Sequence, residues 1–433
     1  LRDSGIPVFL RIDPLLPRSS PGELEGLVAF AAESTVAVIQ DHQDGLYHRG
    51  EQATFSLRFL GADGNPQDAT LSYTLTLDGA ERLSEGEVQV GAEAGMVTGT
   101  LDRPGVLRCT AWTTADDARI YGFGGAAFDP EQIEPTVEMP EDFDEYWAEQ
   151  KALLADIPMD AQLEERECPE GISALYKFSL ANVDDERVYG WLALPEDDGP
   201  APGLITFQAA GVSGISSGNA VSWAQHGFVS VHIIHHNFDV ETSAEEAAEL
   251  QAGELKDYAH QGSASRDTYY FRKVFLGCVR AIDLLTSQEQ WDGENLVATG
   301  SSQGGGLSIC LAGLDGRITA IAANVPALCD HTGLQENRPS GWPRLIPRND
   351  PYGAVAQVAP YFDAVNFARR FDGATWMAVG LIDRTCPAMT VYSAYNVLPE
   401  PKEMLVFPQM GHAIPREYYA DRREWVRAQV GLE

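Results

Sequence analysis

The sequence predicts an α/β protein in which a doubly wound, mostly parallel sheet follows an all-β domain. Three observations carry this prediction. Short alternating strands fill residues 35–128, a proline-rich acidic stretch follows, and strands then alternate with helices to the end of the chain. The length of 433 residues fits two or three domains. We therefore expect a β domain over 1–130, a linker over 131–139 and an α/β domain over 140–433.

The first domain is predicted from runs of β-branched and aromatic residues separated by turn sequences. Asp-Gly pairs at 44–45 and 78–79 and an Arg-Pro-Gly at 103–105 are typical of turns between short strands. This regular spacing favours an immunoglobulin-like β-sandwich. Residues 1–34 either add an edge strand or lie as an arm across the other domain. The predicted strands are TVAVIQ, ATFSLRFLG, LSYTLTLDG, GVLRCTAWT and RIYGFGG.

The second domain opens with a helix after Pro140, where early acids suit a helix start. Apolar strands that alternate with helices indicate a parallel sheet covered on both faces. A long helix is predicted over TYYFRKVFLGCVRAIDLLTSQ, because its apolar residues recur on one face. The predicted strands are GLITFQA, GFVSVHII, NLVATG, ITAIAANVP, TWMAVGLID and EMLVFPQMG.

The composition excludes some classes of partner. With 30 basic and 64 acidic residues the formal charge is −34, so the surface repels nucleic acid and anionic lipid. No apolar run approaches the roughly 18 residues of a membrane-spanning helix. The six cysteines form no C-x-x-C pair, and we expect buried thiols rather than a zinc site.

Gly300-Ser301-Ser302-Gln303-Gly304 matches the G-x-S-x-G pattern and lies between a predicted strand and a predicted helix. In this context the pattern predicts a nucleophile elbow, the sharp turn that presents the reactive serine of α/β-hydrolases. Only the central residue points off the strand end, so Ser302 is the candidate nucleophile. The backbone N–H of Gln303, at the helix N-terminus, is a candidate oxyanion donor.

The remaining triad members should follow in the order Ser, acid, His. Asp383 lies just past a predicted strand, and His412 follows the last predicted strand in a loop that could present it. His331 is an alternative base, but it precedes any acid at a strand end.

Several blocks resemble one known family. TGSSQGGGL, VGLIDRTCPAM and YYFRKVFLGCVRAIDLL are similar to the acetyl xylan esterase/cephalosporin-C deacetylase family of carbohydrate esterases, over about 138–433. The resemblance implies an α/β-hydrolase that removes acetyl groups from sugar hydroxyls, with Ser302, Asp383 and His412 as its triad.

The chain also departs from that family's pattern. Gln208-Ala209-Ala210 replaces the family's His-Gly-Tyr, and Ala210 is the candidate second oxyanion donor because only its backbone N–H is needed. His235-His236-Asn237 replaces Arg-Gly-Gln, which leaves substrate range open. The added β-sandwich is typical of a secreted subgroup, so we expect a secreted or periplasmic protein.

Other polar and aromatic residues allow two interpretations each. Either His232, His235, His236 and Asp239 bind a metal, or His235, His236 and Asn237 form a polar loop near the site mouth that binds sugar hydroxyls or braces neighbouring loops. The acidic stretch 241–262 is expected to be a helical insertion walling the cleft. Candidate substrate contacts are His235, His236, Asn237, Pro326 and Trp342.

The expected partner is an acetylated oligo- or polysaccharide, and a homo-oligomer stays open. Acyl transfer by a serine triad requires no cofactor and no metal. Two alternatives remain at this point. One is a different α/β-hydrolase reaction, on another ester or a peptide, and the other is a non-catalytic carbohydrate-binding protein on a hydrolase scaffold.

Overall fold

A computed structural model describes residues 34–115 and 117–432. The expected edge strand or arm at the N-terminus therefore lies outside the described residues, apart from residue 34. The chain forms two compact units. The first takes the chain up to Pro130 together with Gly380–Ile382 and Val406–Ala420, and the second takes the remaining segments. No helix among the described residues is long and apolar enough to cross a bilayer.

The first unit contains two sheets. One has the strand order β1-β3-β6 and is antiparallel, and the other has the order β2-β8-β7-β4-β5. The strands are β1 Thr35–Gln40, β2 Leu46–Tyr47, β3 Ala53–Leu60, β4 Ala69–Leu77, β5 Glu81–Val90, β6 Gly95–Gly99, β7 Gly105–Ala115 and β8 Ala118–Phe128.

The two sheets approach each other closely. Buried residues alternate with partly exposed ones along β1 and most of β3, as expected when one face of a strand is buried. A Cβ at Gly122 of β8 would lie 2.2 Å from the backbone oxygen of Val36 in β1, so only glycine fits there. All five strands predicted in this region are present, and β2, β5 and β6 were missed.

The larger sheet has the order β17-β16-β15-β14-β12-β13-β11-β10-β9. Its pairs β13-β12, β12-β14, β14-β15 and β15-β16 are parallel, whereas β9, β10 and β11 add an antiparallel extension that the sequence analysis did not predict. The strands are β9 Gln162–Glu165, β10 Ile172–Ala181, β11 Arg187–Pro195, β12 Ala201–Phe207, β13 Val229–Ile234, β14 Trp291–Ser301, β15 Ala320–Asn324, β16 Ala374–Gly380 and β17 Lys402–Phe407.

Helices connect these strands. The long predicted helix is α4, and its apolar face, which includes Phe271, Phe275 and Cys278, is buried as predicted. Five of the six cysteines are buried, and Cys168 is exposed, contrary to the expectation for that residue. The helices are α1 Phe143–Ala155, α2 Gly218–Ala224, α3 Ala244–Ala252, α4 Tyr270–Thr286, α5 Gln303–Leu314, α6 Ala354–Val358, α7 Ala364–Ala368, α8 Ala388–Val397 and α9 Arg416–Gln429.

The parallel strands determine where the predicted site residues lie. Because β12, β14 and β16 belong to the parallel part of the sheet, their carboxyl ends share one edge. Ala210 follows β12, Ser302 follows β14 and Asp383 follows β16. Ligands of open α/β sheets bind outside this edge, so the three residues are positioned for a common site.

Candidate active site

Ser302 occupies a strained turn between β14 and α5. Its backbone has φ 57° and ψ −120°, a conformation that a residue with a side chain rarely adopts. The surrounding backbone holds it there, because the Ser302 N–H donates to the Asn324 oxygen at 2.9 Å. The Ser302 carbonyl accepts from the amides of Gly306 and Ala327, each at 2.9 Å. This is the strand–turn–helix context that the G-x-S-x-G pattern predicted.

The two outer glycines of the pattern are required by close packing. A Cβ at Gly300 would lie 2.4 Å from the carbonyl carbon of Gly304. A Cβ at Gly304 would lie 2.3 Å from the oxygen of Phe207, the last residue of β12. Any larger residue would therefore push α5 away from the strands that it follows and faces.

Asp383 is fully buried, and backbone amides hold its carboxylate. Its Oδ1 accepts from the Thr385 N–H at 2.7 Å and from the Cys386 N–H at 3.0 Å. The thiol of Cys386 in turn makes a hydrogen bond with Ser302, so one residue contacts both the candidate acid and the candidate nucleophile. Asp383 and Ser302 are thus brought to the same cluster, as predicted from their places at strand ends.

Cys386 itself is not suited to act as a nucleophile. Burial, with the charge of Asp383 as a second cause, raises the pKa of its thiol well above the usual range. The thiolate is the reactive form of cysteine, and here the neutral thiol is strongly favoured. The serine hydroxyl is therefore the better candidate nucleophile of the two.

His412 is exposed in the segment Val406–Ala420, which belongs to the first unit together with Gly380–Ile382. Two backbone hydrogen bonds join these segments. The Leu381 N–H donates to the Phe407 oxygen at 3.2 Å, and the Ile382 N–H donates to the Met410 oxygen at 3.3 Å. Asp383 follows Ile382 directly, and His412 comes two residues after Met410. The backbone segments that lead to the two residues are therefore joined by these hydrogen bonds.

The candidate oxyanion donors come from two neighbouring strand ends. Gln303 is the first residue of α5, where backbone N–H groups have no partner within the helix. Ala210 is exposed three residues after Phe207, and Phe207 is the β12 partner of Gly300 in β14. Two amides that approach from adjacent strands are the arrangement expected for an oxyanion hole in this fold.

The predicted polar loop after β13 is mostly buried. His235 and His236 are only 5% and 2% exposed, and burial lowers the pKa of His236 to about 4. The ring nitrogens of His236 contact the Tyr270 hydroxyl at 2.6 Å and the Gly211 oxygen at 3.1 Å. This favours the bracing interpretation for His236 over direct contact with a sugar.

The other candidate substrate contacts differ in exposure. Asn237 is exposed, but its Oδ1 accepts from the Arg187 N–H at 3.1 Å. Pro326 is buried, and Trp342 is half-buried, with its ring 6.3 Å from that of Tyr258. For the metal alternative, Asp239 is already engaged, because its Oδ2 accepts from the Lys177 ammonium at 3.0 Å.

His331, the alternative base, lies fully buried at the start of a 3₁₀ turn, and neither ring nitrogen has a hydrogen-bond partner within residues 34–115 and 117–432. Burial lowers its pKa to about 3. Because the unfolded chain binds the proton more tightly, the neutral ring contributes stability above about pH 6.5 that is lost as the pH falls toward 3. We expect His331→Leu to be more stable than wild type in acid, by a margin growing by about 1.4 kcal/mol per pH unit across that window.

Urea unfolding between pH 4 and 8 measures this margin. His48→Leu is the matched control, since that side chain is 93% exposed. A stability difference between His331→Leu and wild type that stays constant over this pH range would contradict the expectation.

Comparisons with known proteins agree with this architecture. Residues 131–428 match the family model described as acetyl xylan esterase (AXE1). Acetyl esterase Axe7A of Xylanibacter ruminicola is 31% identical over 418 residues, which cover 93% of this chain and 92% of that protein. An acetyl xylan esterase from Paenibacillus sp. R4 superposes with a TM-score of 0.61 at 28% identity, over 69% of this chain and 98% of that one. Acetyl xylan esterase 1 from Thermoanaerobacterium sp. JW/SL YS485 superposes with a TM-score of 0.57 at 23% identity, over 69% of this chain and 97% of that one. At that identity the similarity shows the fold alone.

A serine elbow at the carboxyl edge of a mostly parallel sheet, in a fold shared with these enzymes, defines an α/β-hydrolase-like esterase. The match to more than half of the chain and the 31% identical relative narrow the class further. The chain belongs to the acetyl xylan esterase (AXE1) family, and it is a carboxylic ester hydrolase. The resemblance noted from the sequence is confirmed.

Proposed function

We propose that this protein is a serine esterase that removes acetyl groups from acetylated xylan or xylo-oligosaccharides through an acetyl-enzyme intermediate. Family membership supports deacetylation of an acetylated carbohydrate. The observation that supports the serine mechanism is the strained backbone of Ser302, at φ 57°. Cys386 links this residue to Asp383, because it hydrogen-bonds to both. Strain of this kind persists only where the surrounding structure enforces it, and it is common at catalytic residues.

In the proposed mechanism the Ser302 hydroxyl attacks the acetyl carbonyl while His412 accepts its proton. Asp383 orients the His412 ring and stabilises the imidazolium that forms. The backbone amides of Gln303 and Ala210 donate to the oxyanion of the tetrahedral intermediate. His412 then returns the proton to the departing sugar oxygen, and a new hydroxyl group forms on the sugar.

Deacylation repeats these steps with water in place of the serine hydroxyl as the attacking group and with Ser302 as the leaving group. Water attacks the acetyl-enzyme as His412 removes its proton, and the second tetrahedral intermediate uses the same two amides. Collapse releases acetate and returns the proton to Ser302. The two backbone bonds to Asp383 Oδ1 support its role as an orienting group, because they hold the carboxylate in one position through both half-reactions.

The proposal extends to the architecture. We assign residues 1–130 to an immunoglobulin-like β-sandwich, 131–139 to a linker and 140–433 to the catalytic domain of a secreted or periplasmic enzyme. The close approach of two sheets at Gly122 supports the sandwich.

A small acyl pocket is the first testable consequence of a deacetylase. We expect p-nitrophenyl acetate to be hydrolysed with a kcat/KM at least about tenfold above that for the butyrate, and octanoate to be negligible, since one or two extra methylenes that do not fit are worth about 1–3 kcal/mol. A preference for octanoate would contradict a deacetylase and favour a different esterase.

The natural substrate is tested by acetate release from acetylated xylo-oligosaccharides, other acetylated sugars and cephalosporin C. A parallel experiment labels the protein with a fluorophosphonate, and mass spectrometry identifies the residue that carries the adduct. The proposal expects acetate from the xylo-oligosaccharides and an adduct on Ser302. Absence of any label together with absence of acetate would identify a non-catalytic scaffold instead.

A further inference from the structure

The hydroxyl of Tyr258 connects the two backbone segments that supply the candidate oxyanion donors. It donates to the Gln303 side-chain oxygen Oε1 at 2.6 Å, and it accepts from the Gly211 N–H at 3.3 Å. Gln303 carries one donor on its own backbone, and Gly211 directly follows Ala210, which carries the other. A single buried oxygen atom therefore bridges the start of α5 and the loop after β12.

The link to Gln303 has no substitute among the described residues. The Gln303 side chain is fully buried, and its Nε2 has no hydrogen-bond partner there. Burial raises the pKa of Tyr258, so its hydroxyl stays protonated and can donate. The bond to Tyr258 thus determines the orientation of the Gln303 side chain. The candidate oxyanion donor is the backbone N–H of this same residue.

The link to Gly211 forms one side of a two-sided support. The N–H of Gly211 donates to Tyr258, and its carbonyl accepts from the Nε2–H of His236 at 3.1 Å. Because Nε2 faces an acceptor, His236 is the neutral Nε2–H tautomer, and its Nδ1 accepts from the Tyr270 hydroxyl at 2.6 Å. Both peptide groups that flank Gly211 are therefore fixed, and the first of them begins at the carbonyl of Ala210, the residue whose N–H is the candidate donor.

The ring of Tyr258 is itself rigidly packed. It packs edge-on against the ring of His236, with 4.6 Å between the ring centroids, and at a tilt against the ring of Tyr270, with 5.4 Å between the centroids. The residue begins the 3₁₀ turn Tyr258–His260, within the stretch 241–262 that the sequence analysis expected to wall the cleft. Through Tyr258, this stretch contacts Gln303 and Gly211 directly.

We propose that Tyr258 is a positioning residue that holds the two arms of the oxyanion hole at a fixed separation. The two arms are the start of α5, which carries the Gln303 N–H, and the loop after β12, which carries the Ala210 N–H. The inference rests on the proposed function, since it assigns a role relative to the amides of Gln303 and Ala210. An oxyanion hole stabilises the transition state because its donors are in place before charge develops. Loss of the shared hydroxyl leaves each arm free to relax independently, which weakens transition-state binding more than substrate binding.

The test is Tyr258→Phe, which keeps the ring and removes the oxygen. We expect kcat for p-nitrophenyl acetate to fall by about 10- to 50-fold, less than the 10²- to 10³-fold typical of deleting a donor, with KM changed by about twofold or less. The affinity for phenylboronic acid, which forms a tetrahedral adduct with a reactive serine, should fall in proportion to kcat/KM. Tyr146→Phe is the matched control, because that buried hydroxyl donates to the Arg266 oxygen, at 2.7 Å, away from both arms.

A second variant guards against a folding defect in the first. Gln303→Met removes the same hydrogen bond from its other end and leaves the backbone N–H in place. If the bond is the cause, the double variant loses no more activity than the more affected single variant. Additive losses, unchanged boronate affinity in Tyr258→Phe, or equal losses in Tyr146→Phe would each overturn the inference. Loss of the proposed function itself would appear differently, as undiminished acetate release by Ser302→Ala.

Discussion

Ser302→Ala is expected to lower kcat for acetate release by about 10⁴-fold or more, because it removes the hydroxyl that forms the acetyl-enzyme in the proposed mechanism. The neighbouring thiol cannot replace it, since burial keeps Cys386 protonated. KM should change little, because the hydroxyl contributes mainly to the transition state. Single-turnover assays with p-nitrophenyl acetate measure the loss, and the fluorophosphonate adduct should disappear with it.

Ser301→Ala is the matched control one residue away. The Ser301 hydroxyl accepts from the Asn324 side-chain amide at 3.1 Å and lies on the strand side of the turn. We expect its kcat to stay within about fivefold of wild type, since a neutral hydrogen bond is worth about 1 kcal/mol. The nucleophile would have to be reassigned if Ser301→Ala were the inactive variant and Ser302→Ala the active one.

Asp383→Asn is expected to reduce kcat by roughly 10³- to 10⁴-fold with little change in fold. An amide can keep one oxygen facing the Thr385 and Cys386 amides, but it presents an NH₂ group where the carboxylate would accept from the His412 ring. The ring would then favour the wrong tautomer and its imidazolium would lose a counter-charge. Kinetics on p-nitrophenyl acetate measure the effect, and thermal unfolding shows that the fold is retained.

Asp372→Asn makes the same chemical change at an exposed position before β16. It should leave kcat within about twofold of wild type, since isolated surface charges have small effects. Comparable losses in the two variants would mean that general electrostatics, and not orientation of a histidine, account for the result. Full activity in Asp383→Asn would remove this residue from the mechanism.

Local sequence signals predicted the elements that carry the candidate site. The turn at Ser302 could be recognised because glycine at 300 and 304 is a direct steric requirement of that turn. Strands β12 and β16 and the buried second half of β14 were also predicted, because buried stretches of strand read as continuous apolar runs. Placement of Asp383 after β16 followed from the same reasoning.

The missed strands lack that signal. β5 lies at the edge of its sheet with its first five residues exposed, and glutamates at 81, 85 and 87 conceal its alternation. β9 is exposed along its whole length. Charged edge strands protect a sheet from pairing with other chains, and their sequences resemble those of loops for this reason.

The role inferred for Tyr258 could not be predicted from sequence. The residue lies 45 positions from Gln303 and 47 from Gly211, and only folding brings the three together. Its surroundings in the chain, KDYAHQG, read as a polar helical insertion. The burial of His235 and His236 was hidden similarly, because histidine has no strong preference for surface or core.

The thiol that contacts Ser302 has a consequence for tolerance of oxidants. Peroxides attack the thiolate of cysteine, and the raised pKa of Cys386 keeps that form scarce. A sulfur atom can therefore stay beside the Ser302 hydroxyl without becoming a point of chemical damage, and esterase activity should survive peroxide exposure that inactivates enzymes with a low-pKa cysteine.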